Sequence, residues 1–277
     1  MTARTLIPAL AAASLLALGC DKAPTEPQRT LTPGTPAFIT DGVLDRNAHP
    51  AVVLIVMDVA RQPTWLCSGT LIAPKVVLTA GHCAGEKGEF SGVRIYTESD
   101  VDNGNNNFPF AGPNSVEAAS WQAHPQYTSA AFFLHDVGVI TLKKAVNLAA
   151  DQYGKLPAAN ELDALNPSAS TVFTAVGYGL QRINPVFIQQ DLIRMSAEPH
   201  LIQINTGFTG DFSLMLSNNA ATGGTCFGDS GGPNYLGSSS TIAGVTSFGL
   251  NGTCGGTGGV FRLDRQNVLD FVNKFLN

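Results

Sequence analysis

Charged side chains are scarce in this sequence: 13% of 277 residues, 16 basic against 21 acidic. With a formal net charge of −5 there is no basic footprint for a phosphate backbone, which argues against nucleic acid as a partner. Histidine is rarer still. His49, His82, His124, His135 and His200 are all there is, and none are spaced as in the H-x-x-x-H of zinc peptidases. No metal and no cofactor are therefore expected. The apolar run Leu6 to Gly19 is too short to span a bilayer. Strong helical periodicity is missing until the end of the chain, and no internal repeat is evident.

What is present begins with a leader. Arg4 followed by Leu6 to Gly19 has the make-up of an export signal, assigned to residues 1–19. The run Leu16-Ala17-Leu18-Gly19-Cys20 resembles the signal of a bacterial lipoprotein, which implies acylation of Cys20 and a membrane partner through that lipid. The alternative is an ordinary secretory signal cleaved near Ala17 or after Cys20. Either way the protein is expected to be exported, as a cell-envelope lipoprotein or secreted. Residues 20–38 carry Pro24, Pro27, Pro33 and Pro36 and read as an extended tether or propeptide.

From Ile39 onward the pattern is all-β. Apolar runs at Ala51–Val56, Thr64–Ile72, Val76–Ala80, Val93–Tyr96, Val137–Leu142, Val172–Val176, Ile242–Phe248 and Gly259–Leu263 are separated by turn residues. Such spacing points to a barrel or sandwich. Asp102 to Asn107 reads as an exposed loop. Val268, Phe271, Val272, Phe275 and Leu276 form one face of a C-terminal helix, with Asp264 as its expected N-cap.

Three segments carry chemistry. In Gly228-Asp229-Ser230-Gly231-Gly232-Pro233 glycines surround a serine, so that backbone N–H groups can approach a reacting carbonyl. Leu78-Thr79-Ala80-Gly81-His82-Cys83 places a histidine at the end of an apolar strand. His135-Asp136 opens the run Val137–Leu142, where a carboxylate needs hydrogen-bond partners; His135 itself is expected on the solvent side. Gly228 to Gly232 also fits the esterase pattern G-x-S-x-G, but that fold needs a histidine after the serine, and all five precede it.

In this order the three segments resemble the trypsin/chymotrypsin family of serine proteases, over about Ile39 to Asn277. The resemblance implies a chymotrypsin-like double β-barrel with a C-terminal α-helix, acting on protein or peptide substrates as a monomer. It implies catalysis by His82, Asp136 and Ser230, with an oxyanion hole from the N–H groups of Gly228 and Ser230. It also implies disulfides Cys67–Cys83 and Cys226–Cys254. Each closes a loop of roughly 15 to 30 residues and in the chain-entropy model contributes about 3 kcal/mol.

Gly224 and Thr225 stand at the family's pocket base, and Gly249 and Gly259 on its walls. No aspartate sits there, so an open, uncharged pocket for a large apolar or aromatic side chain is expected. Ser247, Phe248 and Gly249 resemble the substrate-binding strand. Ser247 is either a plain strand serine or a hydrogen-bond partner of Asp136. Ile39-Thr40-Asp41-Gly42 stands at the family's mature N-terminus, which implies a zymogen cleaved after Phe38, with the Ile39 amine pairing with Asp229. The competing readings are a constitutively formed site, a catalytically idle homologue acting as an envelope binding module, and a structural envelope lipoprotein.

Overall fold

The computed structural model describes residues 39–184 and 187–276. The leader, Cys20, the tether and Phe38 lie outside the described residues. In chain order the elements are β1 (Val43–Leu44), β2 (Val52–Val59), β3 (Gln62–Ala73), β4 (Val76–Thr79), α1 (Gly81–Ala84), β5 (Gly92–Tyr96), β6 (Ser115–Ala123) and β7 (Gly138–Leu142). The second half holds β8 (Ser168–Gly177), β9 (Arg182–Asn184), β10 (Phe187–Gln189), β11 (Met195–Ala197), β12 (His200–Thr206), β13 (Gly210–Asn218), β14 (Pro233–Leu236), β15 (Ile242–Gly249), β16 (Gly256–Arg262) and α2 (Gln266–Asn273). Strands β2-β3-β4-β7-β6-β5 close one barrel. Strands β8-β12-β13-β16-β15-β14 close a second, sealed by the β8–β14 pairing.

The sequence dictates where each barrel is filled. In β2 the residues Val52 to Met57 are all buried, so the strand shows a continuous apolar run and not an alternation. Burying each Leu, Ile or Val of this kind contributes about 1.5–3 kcal/mol. The second barrel has its own core, with Phe173, Leu201, Leu214, Leu216 and Val260. In β6 only Ala118 is buried, which is why its sequence carries no apolar signature.

A buried arginine joins the N-terminal segment to both barrels. Arg194, 1% exposed, donates from Nε to Asp45 (2.8 Å) and from its two terminal nitrogens to the carbonyls of Val52 (2.9 Å) and Arg46 (2.7 Å) and to the Tyr178 hydroxyl (3.1 Å). His49 Nδ1 also bonds Asp45.

Three expectations are corrected. Asp264 does not cap α2, which begins at Gln266 with Arg265 as the cap residue. Its carboxylate is instead claimed by buried Arg262, at 2.7 Å from two nitrogens, and by the N–H of Leu162. Within the 102–107 loop Asn106 is fully buried, its amide donating to Glu98 and to the carbonyl of Val101. His135 is only partly open to solvent: it is half-buried and stacks on His124 at 5.1 Å, and burial lowers its pKa. Of the expected helix face Val268, Phe271 and Val272 are buried, whereas Phe275 and Leu276 lie past the end of α2 and Leu276 is exposed.

Candidate active site

Strand register brings the histidine and the aspartate together. The β4–β7 ladder sets Thr79 opposite Gly138, so His82, just past one strand end, meets Asp136, just before the other. The Cys67–Cys83 disulfide pins the residue after His82 to β3. Asp136 is fully buried; the His82 side chain is 27% exposed. The imidazole Nδ1 lies 3.0 Å from both carboxylate oxygens, and the His82 backbone N–H donates to one of them at 2.9 Å. The Ser247 hydroxyl donates to the other at 2.5 Å. Burial pushes the His82 pKa down, but the charge and hydrogen bond of Asp136 outweigh it and hold the pKa above the ordinary histidine value. With Nδ1–H committed to Asp136, Nε2 is left as the free base.

Ser230 reaches the same place from the second barrel. Its carbonyl accepts the N–H of Ser68 (2.8 Å) and lies 3.5 Å from the sulfur of Cys83, the neighbour of His82. Ser230 and His82 line the same cleft. The loop around Ser230 uses its N–H groups selectively. Those of Asp229, Gly231 and Gly232 donate to the carbonyls of Cys226, Thr246 and Asp229. Those of Gly228 and Ser230 donate to nothing among the described residues. Gly231 has φ of +77°, and a Cβ there would fall 2.0 Å from the Thr79 hydroxyl, so only glycine fits.

Asp229 is buried beneath this loop. It accepts N–H bonds from Gly179 (2.8 Å) and Cys226 (2.9 Å). A Cβ on Gly177 or Gly179 would stand 2.3–2.5 Å from its carboxyl atoms, so those two glycines are what make room for the side chain. Burial pushes its pKa up to about 7, against the pull of the two backbone bonds. Ile39 is fully buried against Met195 and Ala197. Next to it, Thr40 donates its hydroxyl to Asn218 (2.9 Å), and its carbonyl accepts the N–H of Gly224 (3.1 Å).

A cavity of about 490 Å³ opens beside Ser230. Thr225, Ser247, Phe248 and Gly249 line it. Gly224 and Gly259 do not: the Asn218 side chain sits against Gly224 and the Phe248 ring against Gly259. Asn218, Thr257 and Gly258 line it instead, and its lining holds no carboxylate. The Cys226–Cys254 disulfide closes one wall. Beyond the cavity runs an aromatic wall that sequence reading missed. Phe133 stacks on Phe208 at 4.1 Å and meets Phe248 at 6.5 Å, while Phe132 lies edge-on to His82. The Phe132-Phe133 doublet just before His135-Asp136 is its only sequence signal. Across Ser230 a second cavity of about 480 Å³ is walled by Trp65, Leu66, Phe90, Leu180 and Phe227. Cys67 and Cys83 lie beside His82 but are joined to each other, so neither offers a thiolate to a metal.

The trypsin family model matches residues 44–271 of this sequence. The chain belongs to the trypsin family. It is similar to brachyurin of Leptuca pugilator, with 31% identity over 217 residues, covering 75% of this chain and 84% of that one. A trypsin of Saccharopolyspora erythraea is 29% identical, over 77% of this chain and 87% of its own length. The solved structure of HL collagenase shares the fold, with a TM-score of 0.67 and 21% identity over 87% of this chain and 97% of that one. The protein is thus a serine endopeptidase on a chymotrypsin-like double barrel.

Proposed function

We propose that the protein is an exported endopeptidase that works through His82, Asp136 and Ser230 and prefers large apolar or aromatic residues before the cleaved bond. The observation that carries this reading is the buried Asp136 holding His82 in a single tautomer while Ser230 shares its cleft, beside two uncommitted N–H groups. Ser230 Oγ attacks the scissile carbonyl carbon as His82 Nε2 takes its proton. The carbonyl oxygen becomes an oxyanion that receives the N–H groups of Gly228 and Ser230. His82 then protonates the departing amine, which leaves an acyl-enzyme on Ser230. Water, deprotonated by His82, releases the acid and restores the serine. Asp136 stays ionised throughout and stabilises the imidazolium.

Substrate preference follows from a cavity with no carboxylate to pair with Lys or Arg and with Gly249 and Gly258, which carry no side chain, on its walls. Activation is read from the same region. Cleavage after Phe38 frees the Ile39 amine, which moves against Asp229 and gives that buried carboxylate a cation. The two disulfides fit an oxidising, extracytoplasmic location. No described helix is long and apolar enough to cross a membrane. Attachment through an acylated Cys20 belongs to this proposal, as does action as a monomer.

The test uses protein lacking residues 1–20, a fluorophosphonate probe and a peptide library, with Ser230→Ala alongside. Labelling and cleavage should both vanish in the variant. Cleavage after Phe, Tyr, Leu or Met should exceed cleavage after Lys at least about tenfold, a difference of about 1.4 kcal/mol. Comparable rates on matched Phe and Lys peptides would sink the specificity. Absence of labelling even in protein made to begin at Ile39 would favour an idle binding module.

A further inference from the structure

Gly224 has no conformational reason to be glycine. Its φ is not positive, so its backbone would accept a side chain. What excludes one is Asn218. A Cβ on Gly224 would fall 2.3 Å from Cγ of Asn218 and 2.7 Å from its Cβ. That Cβ is fixed to the backbone of β13 and cannot swing aside. The space that a side chain on residue 224 would take is therefore filled by the Asn218 carboxamide, delivered from another strand.

Asn218 is 2% exposed and lines the cavity beside Ser230. Its carboxamide is held at both polar atoms. Nδ2 donates to the Thr225 carbonyl at 2.7 Å, and Oδ1 accepts the Thr40 hydroxyl at 2.9 Å. The Thr225 carbonyl can only accept, so the nitrogen must face it and the amide cannot be turned over. A carboxamide nitrogen carries two N–H groups. The second has no partner among the described residues, and the open space that Asn218 borders is the cavity. Water can satisfy such a donor until a side chain displaces it. A phenyl ring then leaves the N–H unpaired, whereas a phenol oxygen replaces the lost bond.

We infer that Asn218 is a specificity-determining residue: standing in for the side chain that Gly224 lacks, its carboxamide donates to the hydroxyl of a tyrosine before the cleaved bond and sets Tyr above Phe. This rests on the proposed function above, in which the cavity takes an aromatic side chain. A site that offers a hydrogen bond to a substrate hydroxyl discriminates against the analogue without it, because its own polar group is then left unpaired. One neutral hydrogen bond corresponds to a Tyr over Phe advantage of about three- to tenfold in kcat/KM.

The experiment measures kcat/KM on matched Tyr and Phe peptides for wild type, Asn218→Ala, Gly224→Ser and the double variant, in the form of the chain that labels with the fluorophosphonate probe. Each preference is a ratio within one preparation, so the fraction of folded enzyme cancels. Wild type should favour Tyr about three- to tenfold, and Asn218→Ala should bring the ratio to about one while still cleaving Phe. Gly224→Ser should lose at least about tenfold on both peptides, and Asn218→Ala in the same chain should restore that loss, since it vacates the space the new side chain needs. A wild-type ratio of one or less, an unchanged ratio in Asn218→Ala, or a Gly224→Ser variant as active as wild type would each overturn the proposal. A second measurement needs neither turnover nor a variant: p-cresol should bind the wild type more tightly than toluene, by about threefold or more, and shift the Asn218 side-chain amide resonance. Equal affinities, or no shift, would overturn the proposal. If the wild type cleaves nothing, the catalytic reading fails, and the p-cresol titration alone still decides what Asn218 offers to the cavity.

Discussion

Asp136 and Asp229 are two fully buried carboxylates beside the same cleft, solvated in different ways. Asp136 is surrounded by donors: the His82 ring, the His82 backbone N–H and the Ser247 hydroxyl. Asp229 has two backbone N–H groups and, among the described residues, no cation. The difference teaches how one fold places two charges in apolar surroundings for opposite ends. One is fully supplied with donors, as the proposed role in turnover requires. The other has only two backbone donors, and burial pushes its pKa up to about 7, as the proposed pairing with a cation that arrives later requires.

Removing the Asp136 charge breaks the first half of that contrast. Asp136→Asn should lower kcat by roughly 10⁴-fold, since the amide can hold the wrong imidazole tautomer. In the wild type the raised His82 pKa places the acid limb of the kcat/KM profile above pH 6.5, because the base must be neutral to act. Retention of near wild-type kcat in the asparagine variant would disprove the role of Asp136.

The second half is sharpened by stability against pH, with the chain starting upstream of Ile39 compared with one starting at it. An acid whose folded pKa exceeds its unfolded value binds a proton more tightly when folded. The unprocessed chain should therefore lose stability as pH rises from 3.8 to about 7, and stay at the lower level above that. With the Ile39 amine beside Asp229 that decline should disappear. Urea midpoints at several pH values read this directly; parallel curves for the two forms would rule out the Ile39–Asp229 pairing.

The smallest effect expected is on the finer support of Asp136. Ser247→Ala deletes one of its donors and should reduce kcat about five- to tenfold, about 1 kcal/mol, with KM nearly unchanged. A KM effect alone would mean that Ser247 serves only the cavity wall it also lines.

Legibility followed the same divide between local and distant determinants. Strands β2, β4 and β7 were readable because their residues are almost all buried, and His82, Asp136 and Ser230 because each stands in a contiguous frame of apolar or glycine residues. β6 and β12 were not readable as strands, since both are largely part-exposed and carry polar residues, and β13 was not because its buried run includes the polar Ser213, Ser217 and Asn218. In the site, what stayed hidden depends on separation along the chain. Ser68 meets Gly228 across 160 residues, and Asn218 reaches Thr40 across 178. Gly177 and Gly179 are explained by the Asp229 carboxyl group pressed against them, which no local pattern shows. Asp264 was misread because a local capping signal competes with a buried arginine, and the buried charge prevails.

A protease is its own most concentrated substrate, and Arg194 bears on how far such self-digestion can run. Its clasp on Asp45 and on the Arg46 carbonyl begins six residues beyond Ile39. To erode the chain past that point, Asp45 must first be pulled from a buried pair, and separating the partners of such a pair costs about 3–5 kcal/mol. On the proposed cleavage after Phe38, the new terminus would be guarded from a distance: an arginine far along the sequence marks where further trimming would stop.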